Sequence, residues 1–331
     1  MEKQVSMIDL AHDGVKRQTR KEKFLSNMED LIPFEQWEAM IEPYYYPKNV
    51  KGGRGRPPMG IKKMLRMYLL QVWFTLSDEA LEDAIYEIYS FQKFVGIDLM
   101  SEKVPDAVTL LQFRHLLEAN GLQQKMMAEQ AKFLKDSGVT MTKGTIVDAT
   151  IIHASGSTKN QEKKRDSEAK STKKGGNWFF GFKAHIGTDT NGIVHSVVTT
   201  SGNVADVTVS EQLLHGDEKA VYGDSGFIGM KNHLSTKKKL KCYIVQKKSI
   251  IDKIENEERR AKAKEYETKK CKIRAKVEHV FHVIKNIFGY KRAKYKGIAK
   301  NDGRLNILFA LANIYRLHCQ GRSPQLTMQR T

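Results

Sequence analysis

Gly144-Thr-Ile-Val-Asp148-Ala-Thr-Ile-Ile152 is the stretch on which the fold turns. Apart from Gly144, Asp148 and Ala149, every residue in it is β-branched. Such residues lose side-chain freedom in a helix and pack well on a pleated surface, so the stretch reads as a buried strand. Asp148 is its one charge, with Ile146, Val147, Ala149, Ile151 and Ile152 around it. An unpaired carboxylate in such a strand is expensive, so Asp148 requires a partner such as a cation.

Further along the chain, Trp178–Gly187 and Ile193–Ser201 read as two more strands, joined by a turn containing Asn191-Gly192, a strong hairpin signal. Val204–Leu214 suits a helix, Ala220–Tyr222 and Lys241–Val245 suit short strands, and Thr268–Phe288 suits a long amphipathic helix. The order is strand, strand, strand, helix, strand, short helix, strand, helix. That is the order of an α/β, ribonuclease-H-like domain, a mixed sheet flanked by helices. Two segments interrupt it: residues 155–177, polar and basic, expected to stay flexible without a partner, and a charged insertion over 246–268.

Before residue 141 the pattern is all-helical. Ile61, Met64, Leu65, Tyr68 and Val72 recur on one helix face. Ser77 and Asp106 are natural N-caps for the next two helices, and a fourth through Met127, Ala131 and Leu134 stops near Gly138. Residues 1–140 are therefore expected to form a helical N-terminal region, and 141–320 the α/β domain. Leu76–Ile88 and Asp106–Glu118, with Arg114 and His115 exposed, read equally as a helix-turn-helix-like DNA reader and as packing helices. Arg54-Gly-Arg-Pro57, inside the Gly52–Pro58 linker, is a weak match to a minor-groove hook.

Lys and Arg outnumber Asp and Glu by 56 to 38, a net charge of +18 with a pI near 9.6. That excess calls for a polyanionic partner. Nucleic acid is favoured over a membrane, because no apolar run is long enough to span a bilayer. From Lys237 to Lys300, basic residues outnumber acidic ones 22 to 7, a phosphate-tracking density. Cys242, Cys271 and Cys319 have neither metal-ligand nor disulfide spacing, which suits a reducing cytoplasm.

Two further carboxylates stand out. Asp224 follows a short strand within Tyr222-Gly-Asp-Ser-Gly-Phe227, where glycines allow a sharp turn at the strand end. Spacing alone leaves nearby Asp217 and Glu218 as alternatives. Glu278 lies on the long helix at the edge of an apolar face formed by Ile273, Val277, Val280, Phe281, Ile284 and Ile287. Cys271, Arg274, His282 and Lys285 share its stripe. Oxygen ligands without thiols suit Mg²⁺, with Mn²⁺ able to substitute, rather than zinc. His279 and His282 follow Glu278 in an order foreign to zinc proteases. Lys183 and His185 share a strand face that either approaches the site or serves structure, and Trp178 reads as strand packing, with base stacking as the alternative.

From Met141 to Lys300 the chain closely resembles DDE transposases of bacterial insertion-sequence family five, within the wider family four/five group. The resemblance rests on Gly144–Ile152, Phe180-Gly-Phe-Lys-Ala-His-Ile-Gly187, Asp224-Ser-Gly-Phe227, Arg274-Ala-Lys-Val-Glu278-His and Arg292-Ala-Lys-Tyr-Lys-Gly297, and extends into the helical part at Arg17–Glu22, Leu76–Asp78 and Phe113–Glu118. Arg274, Glu278 and Lys285 keep the group's helix signature, but Cys271 stands where the signature has tyrosine.

The resemblance implies a two-metal site of Asp148, Asp224 and Glu278, holding two Mg²⁺ about 4 Å apart. It implies cleavage at terminal inverted repeats and joining of the 3′-ends to target DNA. Double-stranded DNA, both transposon ends and target, is the implied partner, bound by a homodimer or larger synaptic assembly in the bacterial cytoplasm at the nucleoid. Arg274 and Lys285, then Lys183, Arg292, Lys294, Lys296 and Arg114, are the expected DNA contacts. The rivals are a plain metal-dependent nuclease on the same fold and a sequence-specific DNA-binding protein or repressor from an inactive element.

Overall fold

A computed structural model describes residues 17–46, 58–140, 144–161, 163–235 and 240–320. The Arg54–Pro57 hook therefore lies outside the described residues. The chain divides into two compact units: one runs to Leu122 and takes in the chain again from His318, and the other is Gln123–Leu317.

The first unit is helical: α1 Arg20–Leu31, α2 Phe34–Tyr45, α3 Ile61–Phe74, α4 Asp78–Glu87, α5 Tyr89–Val95 and α6 Ala107–Ala119. Local chemistry starts three of them. Thr19 and Glu22 form a reciprocal capping box on α1. Ser77 accepts from the Ala80 N–H at 3.1 Å and Asp106 from the Thr109 N–H at 2.7 Å, as N-caps of α4 and α6. Helix α3 buries ten of its 14 residues, so it is the unit's central helix rather than a one-sided amphipathic one.

The second unit begins with α7 (Leu122–Asp136) and continues into a mixed sheet. Its strands are β1 (Gly144–His153), β2 (Lys170–Lys174), β3 (Asn177–Asp189), β4 (Val194–Ser201), β5 (Ala220–Gly223) and β6 (Lys241–Ile244), in the order β2-β3-β1-β5-β6 with β4 also on β3. β1 runs antiparallel to β3 and parallel to β5, and β5 is parallel to β6. Gly192, at φ 80°, makes the β3–β4 turn signalled by Asn191-Gly192.

Residue parity sorts the two faces of the sheet. Val147 and Val221 face a cluster with Val209, Leu213, Phe227 and Met230. Ile146 and Asp148 face the other way, towards the long helix α9 (Glu257–His282), which follows the one-turn helix α8 (Lys248–Ile251). The closing helix α10 (Ile298–Cys319) is buried from Asn301 to Ile314 at every residue but Asp302. Its Asn313 amide both donates to Val194 O and accepts from Val194 N, each at 2.8 Å. That side chain completes the hydrogen bonding of the β4 edge as a neighbouring strand would.

Four elements differ from the sequence reading. Residues 206–213 form a 3₁₀ helix, where Val207, Thr208 and Val209 crowd an α-helical turn. Part of 155–177 is strand: Lys170–Lys174 pairs with Asn177–Gly181 across the Gly175-Gly176 turn. The preceding residues are anchored, because Asp166 and Glu168 accept from the Gly297 and Ile298 N–H groups at the start of α10, where orphan donors need acceptors. Helix α9 starts well before Thr268, capped by Asn256 and supported by Glu258–Lys262 and Glu265–Lys269 pairs at 2.6 and 2.8 Å. Helix α10 has no counterpart in the sequence reading, since an all-round apolar run such as Ile307–Ala312 lacks the periodicity that marks a helix.

Candidate active site

Asp148 and Asp224 are brought together by strand register. The β1–β5 pairing ends at Val147↔Gly223, so the two aspartates occupy the next position on adjacent parallel strands. That places their backbones about 4.8 Å apart, at the carboxyl end of β5. Asp217 and Glu218 precede β5 instead: Asp217 pairs with Lys135 at 3.3 Å, and Glu218 accepts from the His215 and Gly216 N–H groups.

Asp148 is only 6% exposed. One carboxylate oxygen accepts from the Ala149 N–H at 2.8 Å and the other from Arg274 Nη1 at 2.7 Å. Burial pushes its pKa up to about 6, against the pull of Arg274 and with a further push from Asp224. Arg274 Nη2 also donates to Glu278 Oε1 at 2.7 Å, one turn along α9. A single guanidinium thus spans Asp148 and Glu278, taking the position of a shared cation. Among the described residues no three His, Cys, Asp or Glu side chains are gathered to hold a metal. The Glu278 side chain, 60% exposed, is free to swing without disturbing the core. The donor set itself, buried Asp148 beside Asp224 and linked to Glu278 through Arg274, fits a hard divalent cation.

Asp224 caps the 3₁₀ turn Ser225–Phe227 by accepting from the Gly226 N–H at 2.9 Å. A Cβ on Gly226 would lie 3.0 Å from both Asp224 Oδ1 and Asp206 Oδ2, so only glycine leaves these two carboxylates undisturbed. Asp206, which sequence reasoning placed inside a helix, is therefore a further acid close to Asp224. Lys183 Nζ holds it at 2.9 Å and also donates to Val204 O at 2.8 Å.

Lys183 and His185 pair in register with Ile151 and Ala149, on the sheet face opposite Asp148. On that face Lys183, expected at DNA, bridges to Asp206. His185 is fully buried, bonds Thr200 Oγ1 at 2.8 Å, and has its pKa driven down to about 4 by burial. Arg114 is a second correction. It is 5% exposed and reaches Asp78 at 2.6 and 3.0 Å and Gln71 at 3.1 Å, tying α6 to α3 and α4. His115 beside it does face solvent.

Lys285 Nζ donates to Ile151 O at 2.9 Å, and its pKa is lowered by burial and by Lys174. The helix departs from α geometry here: Val283–Ile287 is a π turn. The extra residue in the turn rotates the end of the helix, so Phe288 is buried and Ile287, expected in the core, is 41% exposed. His279 and His282 are engaged by Arg316 and Asn286, not by one another. Lys174 lies close enough to bias both Asp148 and Lys285. Trp178, in the register position opposite Lys173, is 71% exposed rather than packed in the sheet. Arg292, Lys294 and Lys296 are all exposed, and Cys271 faces solvent.

Residues 140–314 match the family model described as the transposase DDE domain. The chain belongs to the DDE transposase family. A second model, described as a transposase domain, matches residues 13–116, and together they set the transposase in the insertion-sequence four/five-type group. The family accounts for a ribonuclease-H-like fold, action on DNA and dependence on a divalent metal. No helix of the transposase, among the described residues, is long and apolar enough to cross a membrane.

Proposed function

We propose that this transposase, an insertion-sequence family five enzyme, cleaves the terminal inverted repeats of its element and transfers the 3′-ends into target DNA. Asp148, Asp224 and Glu278 are its metal-binding residues, for two Mg²⁺ ions or Mn²⁺ in their place. The observation that carries this reading is the Asp148–Arg274–Glu278 bridge beside Asp224, in which an internal cation balances the buried Asp148 carboxylate and reaches Glu278 as well. Bound divalent ions would lower the pKa of an attacking water or 3′-hydroxyl and stabilise the leaving 3′-oxygen.

The protein's own contribution is positioning and charge. β1 and β5 hold Asp148 and Asp224 rigidly, while Glu278 sits on a solvent-facing helix edge and can close on them. Arg274, once released from the carboxylates, is placed to donate both Nη groups to a phosphate. Lys285 and Lys174 keep the same region positive, and Trp178 with Lys173 offers a stacking surface for an unpaired base. Arg292, Lys294 and Lys296 take backbone phosphates. Residues 1–140 serve end binding and assembly of a dimer or larger synaptic complex in the bacterial cytoplasm.

The test is cleavage and joining of end-containing DNA in Mg²⁺. Asp148→Ala, Asp224→Ala and Glu278→Ala should each abolish cleavage while DNA binding persists. Undiminished cleavage by Asp148→Ala would overturn the catalytic assignment. Cleavage without joining of a pre-cut 3′-end to target would reduce the protein to a nuclease.

A further inference from the structure

Beyond His153 the chain leaves β1 and borders a cavity of about 320 Å³. One wall carries Ser157, Lys159 and Asp166, and the other Ala293, Lys294 and Lys296. Backbone bonds fix the walls to each other: the Ala293 N–H donates to His153 O at 2.7 Å, and the His153 N–H to Lys291 O at 3.3 Å. Asp166, the acid in the lining, accepts from the Gly297 N–H at 2.8 Å, so its charge is turned to the backbone. Over 292–297 the residues alternate: Arg292, Lys294 and Lys296 are exposed, while Ala293, Tyr295 and Gly297 are half-buried. The result is a comb of cations along one lip, with Lys159 exposed on the other. His153, one residue before the lining, has its pKa lowered first by burial and then by the nearby cations Lys285 and Arg292.

The cavity lies at the small end of ligand pockets, with a lysine on each wall and apolar surface from Ala154, Ala293 and Tyr295 between them. Cations flanking apolar surface suit a sugar-phosphate. The geometry points to a seat for one backbone phosphate of the bound DNA, gripped between Lys159 and Lys294. Asp148 to His153 spans about 16 Å of strand at roughly 3.3 Å per residue. A phosphate seated there would lie at least about 16 Å along the strand from Asp148 and would help set the register of the duplex on the active site. This inference rests on the reading of the chain as acting on DNA at Asp148.

Fluorescence anisotropy of a short labelled duplex in EDTA, across roughly 50–200 mM salt, tests it without metal or catalysis. Each phosphate contact contributes about 0.9 to the slope of log affinity against log salt. The double variant Lys159→Gln/Lys294→Gln should bind more weakly, with a slope shallower by about one. Ser157→Leu keeps every lysine but fills the cavity, at an exposed position where folding is not at stake. It should lose the same increment. A wild-type slope and affinity in Ser157→Leu would show the lysines acting as diffuse charge and overturn the seat. An unchanged double variant would do the same. If the wild-type protein binds no duplex, the DNA-acting reading fails with it, whereas intact binding and cleavage with unaffected variants sinks the seat alone.

Discussion

Asp148→Asn should make the metal-free protein more stable while removing its activity. The Asp148 carboxyl is raised from 3.8 to about 6, burial outweighing the attraction of Arg274. A native carboxyl with a raised pKa keeps its proton longer than the unfolded chain does. Stability therefore falls as pH rises from 3.8 through about 6, and the whole penalty is present above that window. At about 1.4 kcal/mol per tenfold, the ionised form costs about 3 kcal/mol. Asparagine removes the charge at nearly constant size, and Arg274 retains Glu278 at 2.7 Å. Urea unfolding in EDTA at about pH 8 should then show the variant about 2–3 kcal/mol more stable, with the difference gone near pH 4. Saturating Mg²⁺ should stabilise the wild type, by about 2.7 kcal/mol at a hundredfold excess over Kd, and the variant far less. A variant no more stable than wild type in EDTA at the higher pH would refute the claim that burying the Asp148 charge costs the fold more than Arg274 returns.

Three other outcomes are expected from the packing. Gly226→Ala places a methyl 3.0 Å from both Asp206 and Asp224, so end cleavage and metal affinity should drop at least tenfold while the urea midpoint barely moves, the contacts being side-chain ends. Arg114→Ala leaves Asp78 without its buried partner and should cost about 2–4 kcal/mol of unfolding free energy; a loss of DNA affinity without loss of stability would mean that the residue is a DNA contact after all. His185 must become charged when the protein is acidified, so its contribution is complete above pH 6.5 and is lost as pH falls through about 4. Wild type should lose about 3 kcal/mol more than His185→Gln over that interval, measured by unfolding at each pH.

Much of the site was legible because its signals are local. An aspartate among β-branched residues announces a buried strand that needs a cation, and Ser77 and Asp106 announce helix starts that the structure contains. The Arg274–Glu278 stripe follows from helix periodicity alone, and the two residues do bond. Reading failed where a neighbour distant in sequence decides. Arg114 looks like a surface cation until Asp78 and Gln71 close around it. Lys183 looks poised for phosphate until the antiparallel register puts it on the far side of the sheet from Asp148, facing Asp206. Ile287 fits the apolar stripe until the π turn rotates it outward.

Most of the strand order, the long helix carrying Glu278 and the cationic charge are written in the chain, since propensity, periodicity and charge act over a few residues. Which acids meet is a matter of tertiary packing. Asp224 stands beside Asp148 because the parallel β1–β5 ladder ends one residue earlier on each strand, and Asp217 and Glu218 are left at the other end of β5. The same packing puts Arg274 in the cation position, since only the docking of α9 on the sheet brings that guanidinium within 2.7 Å of a carboxylate too buried to be left alone.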